Sequence, residues 1–192
     1  QDAGNPVEDI AALSSYAHRF GARIFVTLNT ILYDNELNDA LDTMVAVQEA
    51  GADALIVQDM AVLKLARETI DPATGKRLIR IPLHASTQCS IRDAEQARFL
   101  ADSGFSRVIL ERQLSLDSIR EICEAVPDRE VEAFVHGALC VSYSGECYLS
   151  EHIARRSANR GCCAQPCRSR YDLVTGDGRT ISRGRTLLSL KA

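Results

Sequence analysis

Five short apolar segments at near-regular intervals constrain the fold of this chain more than any other feature. They are rich in Val and Ile, and their centres lie roughly 25 to 30 residues apart, the length that a strand, a helix and two short loops require. The segments are RIFVTLN (23–29), ADALIVQ (52–58), IPLHAS (81–86), RVILE (107–111) and VEAFVH (131–136). Because they are continuous rather than alternating, we expect parallel strands buried on both faces, with helices outside.

The stretches between these segments have the pattern of amphipathic helices. Residues 36–51 place Leu, Met and Val on one side and end in a glycine. In residues 90–104, Ser90 is the predicted N-cap and Gly104 follows the last turn. Residues 115–126 have Ser115 as the predicted N-cap and stop before Pro127.

A repeated strand–helix unit is compatible with a (β/α)8 barrel or with an open doubly wound sheet. No Gly-rich phosphate loop follows the first strand, which favours the barrel. Five strands do not close a barrel, and RTLLSL (185–190) is the candidate for a sixth. The predicted fold class is therefore α/β, a (β/α)8-type barrel that is incomplete in this chain. The expected divisions are a partial barrel (1–139), a cysteine- and arginine-rich segment (140–185) and the start of a further strand (186–192).

Polar side chains occur where each predicted strand ends, and barrel active sites lie at that face. We expect this ring to bind a small polar or anionic molecule, with His84 and Gln88 as substrate-binding residues. Thr30 and Asp59 are expected to cap helices instead. The ring comprises Asn29, Thr30, Gln58, Asp59, His84, Ser86, Thr87, Gln88, Glu111, Arg112 and His136.

Seven cysteines in a chain without a signal-peptide pattern or an apolar run of membrane-spanning length indicate cytoplasmic metal, cluster or redox chemistry rather than disulfides. Four of them follow the spacing C-x6-C-x15-C-x3-C. Thiolates bind zinc and iron–sulfur clusters, and this spacing alone favours neither. The candidate ligands are Cys140, Cys147, Cys163 and Cys167, with Cys162 adjacent to the third.

The net charge of −4 conceals an uneven distribution. Residues 1–152 contain 13 Lys and Arg against 24 Asp and Glu, whereas residues 153–185 contain eight Arg against two Asp. The second stretch therefore carries a net charge of +6 on an acidic chain. Charge alone fits equally a polyanion-binding site and a solvated loop.

The segment EAFVHGALCVSYSGECYLS (132–150) resembles the signature of the U32 "peptidase" family. The resemblance extends through LNTILYDNEL, DALIVQDM, LHASTQC, SANRG and LLSLK, which is nearly the whole chain. Two pieces, SANRGCCAQPCR and CYLS, are most similar to the members that form 5-hydroxycytidine in 23S ribosomal RNA.

This resemblance implies an iron–sulfur cluster of the [4Fe–4S] type on Cys140, Cys147, Cys163 and Cys167, with Cys162 spare. It also implies an RNA hydroxylase that uses prephenate or a derivative as a small anionic co-substrate and oxygen source. A tRNA uridine hydroxylase of the same family and a collagenase-like peptidase are the alternatives.

On the hydroxylase interpretation, ribosomal RNA is the partner and no membrane is involved. Arginines of the basic stretch would hold its phosphates. His136 is the candidate catalytic residue, for proton transfer or co-substrate binding, and a structural histidine is an equally good interpretation. The predicted RNA-binding residues are Arg155, Arg156, Arg160, Arg168 and Arg170.

On the peptidase interpretation, Cys140 and His136 form the only nearby nucleophile–base pair. The chain has no H-E-x-x-H zinc motif and no G-x-S-x-G elbow. Hydrolysis also leaves the four clustered cysteines and the basic stretch without a role. The sequence therefore favours the hydroxylase.

Overall fold

A computed structural model describes residues 6–189 and contains a five-stranded parallel sheet. The strands lie side by side in sequence order, each paired in parallel with the next. They are β1 (Phe25–Leu28), β2 (Ala54–Val57), β3 (Leu83–Ala85), β4 (Arg107–Ile109) and β5 (Glu130–Glu132). This sequential parallel order is that of a partial (β/α)8-type barrel, which confirms the predicted fold class.

Helices precede or connect these strands, and their ends follow local capping chemistry. Ser115 caps its helix by accepting a hydrogen bond from Ser118 N–H, and Gly104 ends another at φ 115°, as predicted. The N-cap of the fourth helix is Asp93 and not Ser90, which instead ends a short 3₁₀ helix. The helices are α1 (Val7–His18), α2 (Leu37–Glu49), α3 (Met60–Glu68), α4 (Ala94–Ser103) and α5 (Leu116–Ala125).

The hydrophobic core lies between the helices and one face of the sheet. Because side chains alternate along a strand, the residues between these core positions face the other side, which is the barrel interior. Core residues on this face include Leu55, Val57, Leu83, Ala85, Val108 and Leu110, the last of which directly follows β4. The interior face carries an aligned row that includes His84, Arg107 and Glu130, so polar side chains enter the barrel.

The fifth strand is shorter than the sequence indicated. Its pairing with β4 stops at Ile109 and Glu132, with one further bond from Leu110 N–H to the Glu132 carbonyl. Beyond this point the backbone pairs with no strand of the described part of the chain, and Val135 is 98% exposed. His136 therefore lies in a loop rather than at the end of a strand.

The cysteine- and arginine-rich segment has little regular structure. It contains the short helix α6 (Leu149–Ala154) and an antiparallel hairpin of β6 (Tyr171–Val174) and β7 (Thr180–Arg185). The barrel strand predicted at 185–190 is absent from its described part, because Arg185 ends β7 and residues 186–189 form no strand. Residues 190–192 lie outside the described residues.

In residues 6–189, every helix is too short or too polar to cross a lipid bilayer.

Candidate functional site

Four of the seven cysteines line a single cavity of about 400 Å³ at the barrel mouth. We call it the cysteine cavity, and its thiols are those of Cys140, Cys147, Cys163 and Cys167, all of them free. Burial raises the pKa of the Cys167 thiol, and the nearby charges of the other three thiols raise it further. The fold thus brings together the four residues that the sequence predicted as ligands.

The two adjacent cysteines of GCCAQPC have different surroundings. Cys163 lines the cysteine cavity, and its Sγ accepts a hydrogen bond of 3.3 Å from the Gln165 backbone N–H. Cys162 does not line the cavity. It lies near Arg160, whose pKa is raised chiefly by a hydrogen bond to Glu36 and to a smaller extent by Cys162. The structure therefore places Cys163 and not Cys162 with the other three thiols.

Four thiols that line one cavity do not by themselves form a metal site. Among residues 6–189, no group of three or more His, Cys, Asp or Glu side chains could hold a metal ion in the arrangement that the structure shows. The four thiols are neighbours around a common space, without a preformed single-ion site.

The apex of the loop 140–147 rests on the end of β4. Both the backbone N–H and the hydroxyl of Ser144 donate hydrogen bonds to Glu111 Oε1, at 2.9 and 3.3 Å. Gly145 has φ 78°, and a Cβ at this position would lie 2.0 Å from the carbonyl oxygen of Gln88. Only glycine permits this approach, so the small residues of SYSGE allow the loop to sit directly on the barrel.

Arg92 contacts the same loop on both sides of its apex, at Tyr143 and Glu146. The guanidinium of Arg92 lies 4.5 Å from the centre of the Tyr143 ring and 3.3 Å from the Glu146 carboxylate. Tyr143 is therefore already stacked. Tyr148 also lines the cysteine cavity but is 63% exposed, which leaves its ring available to a planar ligand.

Arg160 has a structural role that differs from the predicted binding of phosphate. Its guanidinium forms a two-pronged ion pair with Glu36, with N–O distances of 2.6 and 2.9 Å, and donates to the Ile31 carbonyl. It also lies 4.4 Å from the centre of the Tyr33 ring. We call these contacts the Arg160 tether, because they fix the cysteine segment to the loop after β1. The guanidinium of Arg160 is therefore not available to bind RNA phosphates, contrary to the prediction.

The remaining arginines predicted to bind RNA are exposed. None of them forms an ion pair with a described carboxylate, so their charges are available. Arg168 also lines a cavity with Cys163 and Cys167, which places it beside the thiols. These residues are Arg155, Arg156, Arg168 and Arg170.

His84 lies away from the mouth, contrary to the prediction that it binds substrate there. It is buried, and its ring makes an edge contact with Phe25 at 4.8 Å. Burial, followed by the charge of Arg107, lowers its pKa to about 4. Phe25 and Arg107 begin their strands, so His84 belongs to the deep end of the barrel. Gln88, by contrast, lines the cysteine cavity, and its role in substrate binding stays a prediction.

His136 lies near the site but outside the cysteine cavity. It is exposed and lines a neighbouring cavity together with Arg112. No hydrogen bond joins it to Cys140 among the described residues. Its catalytic role stays a prediction.

Two residues that the sequence did not single out also belong to this site. Arg112 lines the cysteine cavity, donates to Ser144 Oγ at 3.2 Å and stacks 4.4 Å from the centre of the Phe134 ring. Asn159 lines the same cavity and is buried, and its side-chain N–H₂ has no hydrogen-bond partner within residues 6–189. The sequence placed Arg112 in the polar ring at the strand ends but did not distinguish it from the other members. The motif SANRG gave no indication that Asn159 would be buried at the cavity.

A family model described as peptidase family U32 matches residues 2–191. The chain is 51% identical over 190 residues to a 23S rRNA 5-hydroxycytidine C2501 synthase of Escherichia coli (strain K12), covering 99% of this chain and 27% of that protein. It is 36% identical to the tRNA hydroxylation protein P1 of Bacillus subtilis (strain 168), covering 90% of this chain and 39% of that protein.

It is also 36% identical to a collagenase of Porphyromonas gingivalis (strain ATCC BAA-308 / W83), covering 88% of this chain and 41% of that protein. The chain thus spans well under half the length of these three relatives. The solved structure of the U32 peptidase Mk0906 superimposes with a TM-score of 0.53 at 14% identity, covering 67% of this chain and 51% of that one. The match to the family model over nearly the whole length shows that the chain belongs to peptidase family U32.

Proposed function

We propose that this chain is the iron–sulfur-binding part of an RNA hydroxylase that forms 5-hydroxycytidine in 23S ribosomal RNA. The observation that carries the proposal is the gathering of four free thiols around one cavity, with Arg112 in its lining and Arg168 in the lining of an adjoining one. Neither arginine forms an ion pair with a described carboxylate. The 51% identity to an rRNA 5-hydroxycytidine synthase favours this substrate over others.

The proposed cluster is of the [4Fe–4S] type, held by Cys140, Cys147, Cys163 and Cys167. Three features of the cavity suit a cluster. The thiols are free, Cys163 Sγ already accepts a backbone N–H, and the unpartnered N–H₂ of Asn159 is available to a sulfide. When bound, such a cluster supplies redox and Lewis-acid chemistry at the barrel mouth.

In this proposal the residues around the cavity bind and orient the RNA. A ribosomal cytidine is stacked or paired, so it must come from unfolded RNA or be flipped out to reach the mouth. Arg155, Arg156 and Arg170 hold the phosphates, and the exposed ring of Tyr148 stacks on the base. A small anionic co-substrate, prephenate or a derivative, supplies the oxygen.

The test is reconstitution with purified components. Anaerobically prepared protein is incubated with 23S ribosomal RNA that lacks the modification, with and without prephenate, and the nucleosides are quantified by mass spectrometry. We expect 5-hydroxycytidine only with protein and prephenate together, and iron and sulfide in the same preparation. A colourless protein with stoichiometric zinc would contradict the cofactor, and modification of tRNA uridine alone would contradict the substrate.

A peptidase is the second candidate, because a relative named collagenase shares 36% identity with the chain. Cys140 would be its nucleophile, but the described residues show no base hydrogen-bonded to it. We expect no peptide cleavage by rigorously purified protein. Cleavage that disappears in Cys140→Ala would favour the peptidase.

A further inference from the structure

Of the four partly buried arginines among the described residues, three have a carboxylate partner and one does not. Such a residue normally has a carboxylate partner, because a desolvated charge without a counter-charge is costly. Arg92 pairs with Glu146, Arg107 with Glu130 and Glu132, and Arg160 with Glu36. Arg112 is partly buried too, yet no described carboxylate lies within ion-pair distance of it.

Arg112 also lines a second cavity, of about 540 Å³, to which three of the four thiols contribute. We call it the basic cavity. Its lining contains Arg112 and Arg168 but no Asp or Glu, and Cys140, Cys163 and Cys167 contribute to it. Two guanidinium groups, with no acidic side chain in the described lining, favour an anion in this space.

The guanidinium of Arg112 is held in place before any ligand arrives. It stacks 4.4 Å from the centre of the Phe134 ring and donates one hydrogen bond, to Ser144 Oγ. A guanidinium has five N–H donors in a fixed fork, so most remain available. A planar carboxylate is the group that this fork matches with two parallel hydrogen bonds.

We propose that the basic cavity binds a small organic carboxylate, with Arg112 as the principal carboxylate-binding residue and Arg168 as a second cationic contact. The proposal rests on the proposed function, since the ligand would be the anionic co-substrate. It goes further by assigning the binding site, which places that molecule against the thiols of Cys140, Cys163 and Cys167.

The test is titration calorimetry of anaerobically purified protein with prephenate, phenylpyruvate and inorganic phosphate. We expect the carboxylates to bind, and Arg112→Gln to weaken them about 10-fold or more, as expected for loss of a charged hydrogen-bonded pair. Arg112→Lys should recover only part of the affinity, because it keeps the charge without the fork. Arg168→Gln, at an exposed position, should fold normally and weaken binding less. Arg183→Gln, on the hairpin and outside the cavity lining, is the matched control.

Iron and sulfide measured in the same samples test whether the protein holds the proposed cluster. The carboxylate affinity tests this inference separately, whether or not iron is present. The inference is overturned if no carboxylate binds, or if Arg112→Gln binds as tightly as the unaltered protein. Loss of iron from Arg112→Gln with unchanged carboxylate affinity would assign Arg112 to the cluster instead. Phosphate binding that is tighter than carboxylate binding and depends on Arg112 would assign the cavity to RNA.

Discussion

At the scale of single residues, the same side chain has different roles according to its neighbours. Arg155 and Arg156 extend into solvent, whereas Arg160 is committed to Glu36. Cys163 lies at the cysteine cavity, whereas Cys162 lies near Arg160. Adjacent side chains in a turning loop point in different directions, so two neighbours rarely reach the same ligand.

The adjacent cysteines give the sharpest residue-scale prediction. Cys162→Ser should retain the cluster and its colour, because this thiol does not line the cysteine cavity. Cys163→Ser should lose most of the iron, since it removes one of the four lining thiols. The measurement is iron and sulfide per chain in the two variants, prepared identically without oxygen.

Cys123→Ser is a suitable control, because this exposed cysteine lies on α5 and outside the cavity. Iron loss in Cys162→Ser with retention in Cys163→Ser would show that the ligand assignment is reversed.

At the scale of elements, separate contacts connect the cysteine segment to the barrel. Ser144 and Gly145 rest on Glu111 and Gln88, and the Arg160 tether reaches the loop after β1. The Asn159 carbonyl also accepts a hydrogen bond from Ile31 N–H. A segment with little regular structure is thus positioned by contacts to the ends of neighbouring strands.

The Arg160 tether predicts a pH dependence. The hydrogen bonds from Arg160 and from Tyr33 N–H lower the pKa of Glu36 to about 2 from its usual 4.5. A carboxylate whose pKa is lowered by folding stabilises the fold fully at any pH above its pKa in the unfolded state. This contribution is lost as the pH falls through its pKa in the folded state. Stability from this pair should therefore decline between about pH 4.5 and about pH 2.

The measurement is the free energy of unfolding of metal-free protein from neutral pH to about pH 3. Glu36→Gln should be less stable than the unaltered protein at neutral pH, and the difference should narrow as the pH falls. Other acidic groups are common to both proteins and cancel in the comparison. Glu121→Gln is the control, because Glu121 is exposed on α5 and forms no ion pair with any described residue. A pH-independent difference for Glu36→Gln would contradict the role of this tether.

At the scale of the whole molecule, the acidic barrel carries a basic segment next to its mouth. The described acidic residues of that segment are largely occupied by local structure. Asp172 accepts a hydrogen bond from Gly184 N–H, and Asp177 accepts one from the Thr175 hydroxyl. With eight Arg against two Asp, residues 153–185 keep a net charge of +6 that favours a polyanion, and the acidic surface elsewhere would repel RNA from other faces.

This distribution predicts salt-dependent RNA binding through Arg155 and Arg156. Reversing both to Glu should weaken binding and reduce the slope of log K against log salt by about 1.4, or about 0.7 for each lost contact to single-stranded RNA. The measurement is a salt titration of affinity by fluorescence anisotropy. Arg98→Glu with Arg120→Glu makes the same charge change on α4 and α5 and should leave the slope largely unchanged. Equal effects of the two pairs would show that net charge alone determines binding.

The sequence by itself determined the repeating strand–helix architecture, since burial on both faces produces continuous apolar strands that a pattern can reveal. It also predicted the four thiols, because their spacing and the family signature are local properties of the chain. The structure brings these thiols to one cavity, and their role as cluster ligands stays a prediction.

Only the tertiary structure decided which polar residues share that cavity. His84 lies at the deep end of the barrel because it is the central residue of the three-residue strand β3. The guanidinium of Arg160 is held by an ion pair with Glu36, which is 124 positions away in the sequence. Arg112 and Asn159 had no distinguishing neighbours in the sequence. Among the described residues, Arg112 is partly buried without a carboxylate partner and the side-chain N–H₂ of Asn159 is buried without a hydrogen-bond partner. Both properties arise from contacts between distant parts of the chain.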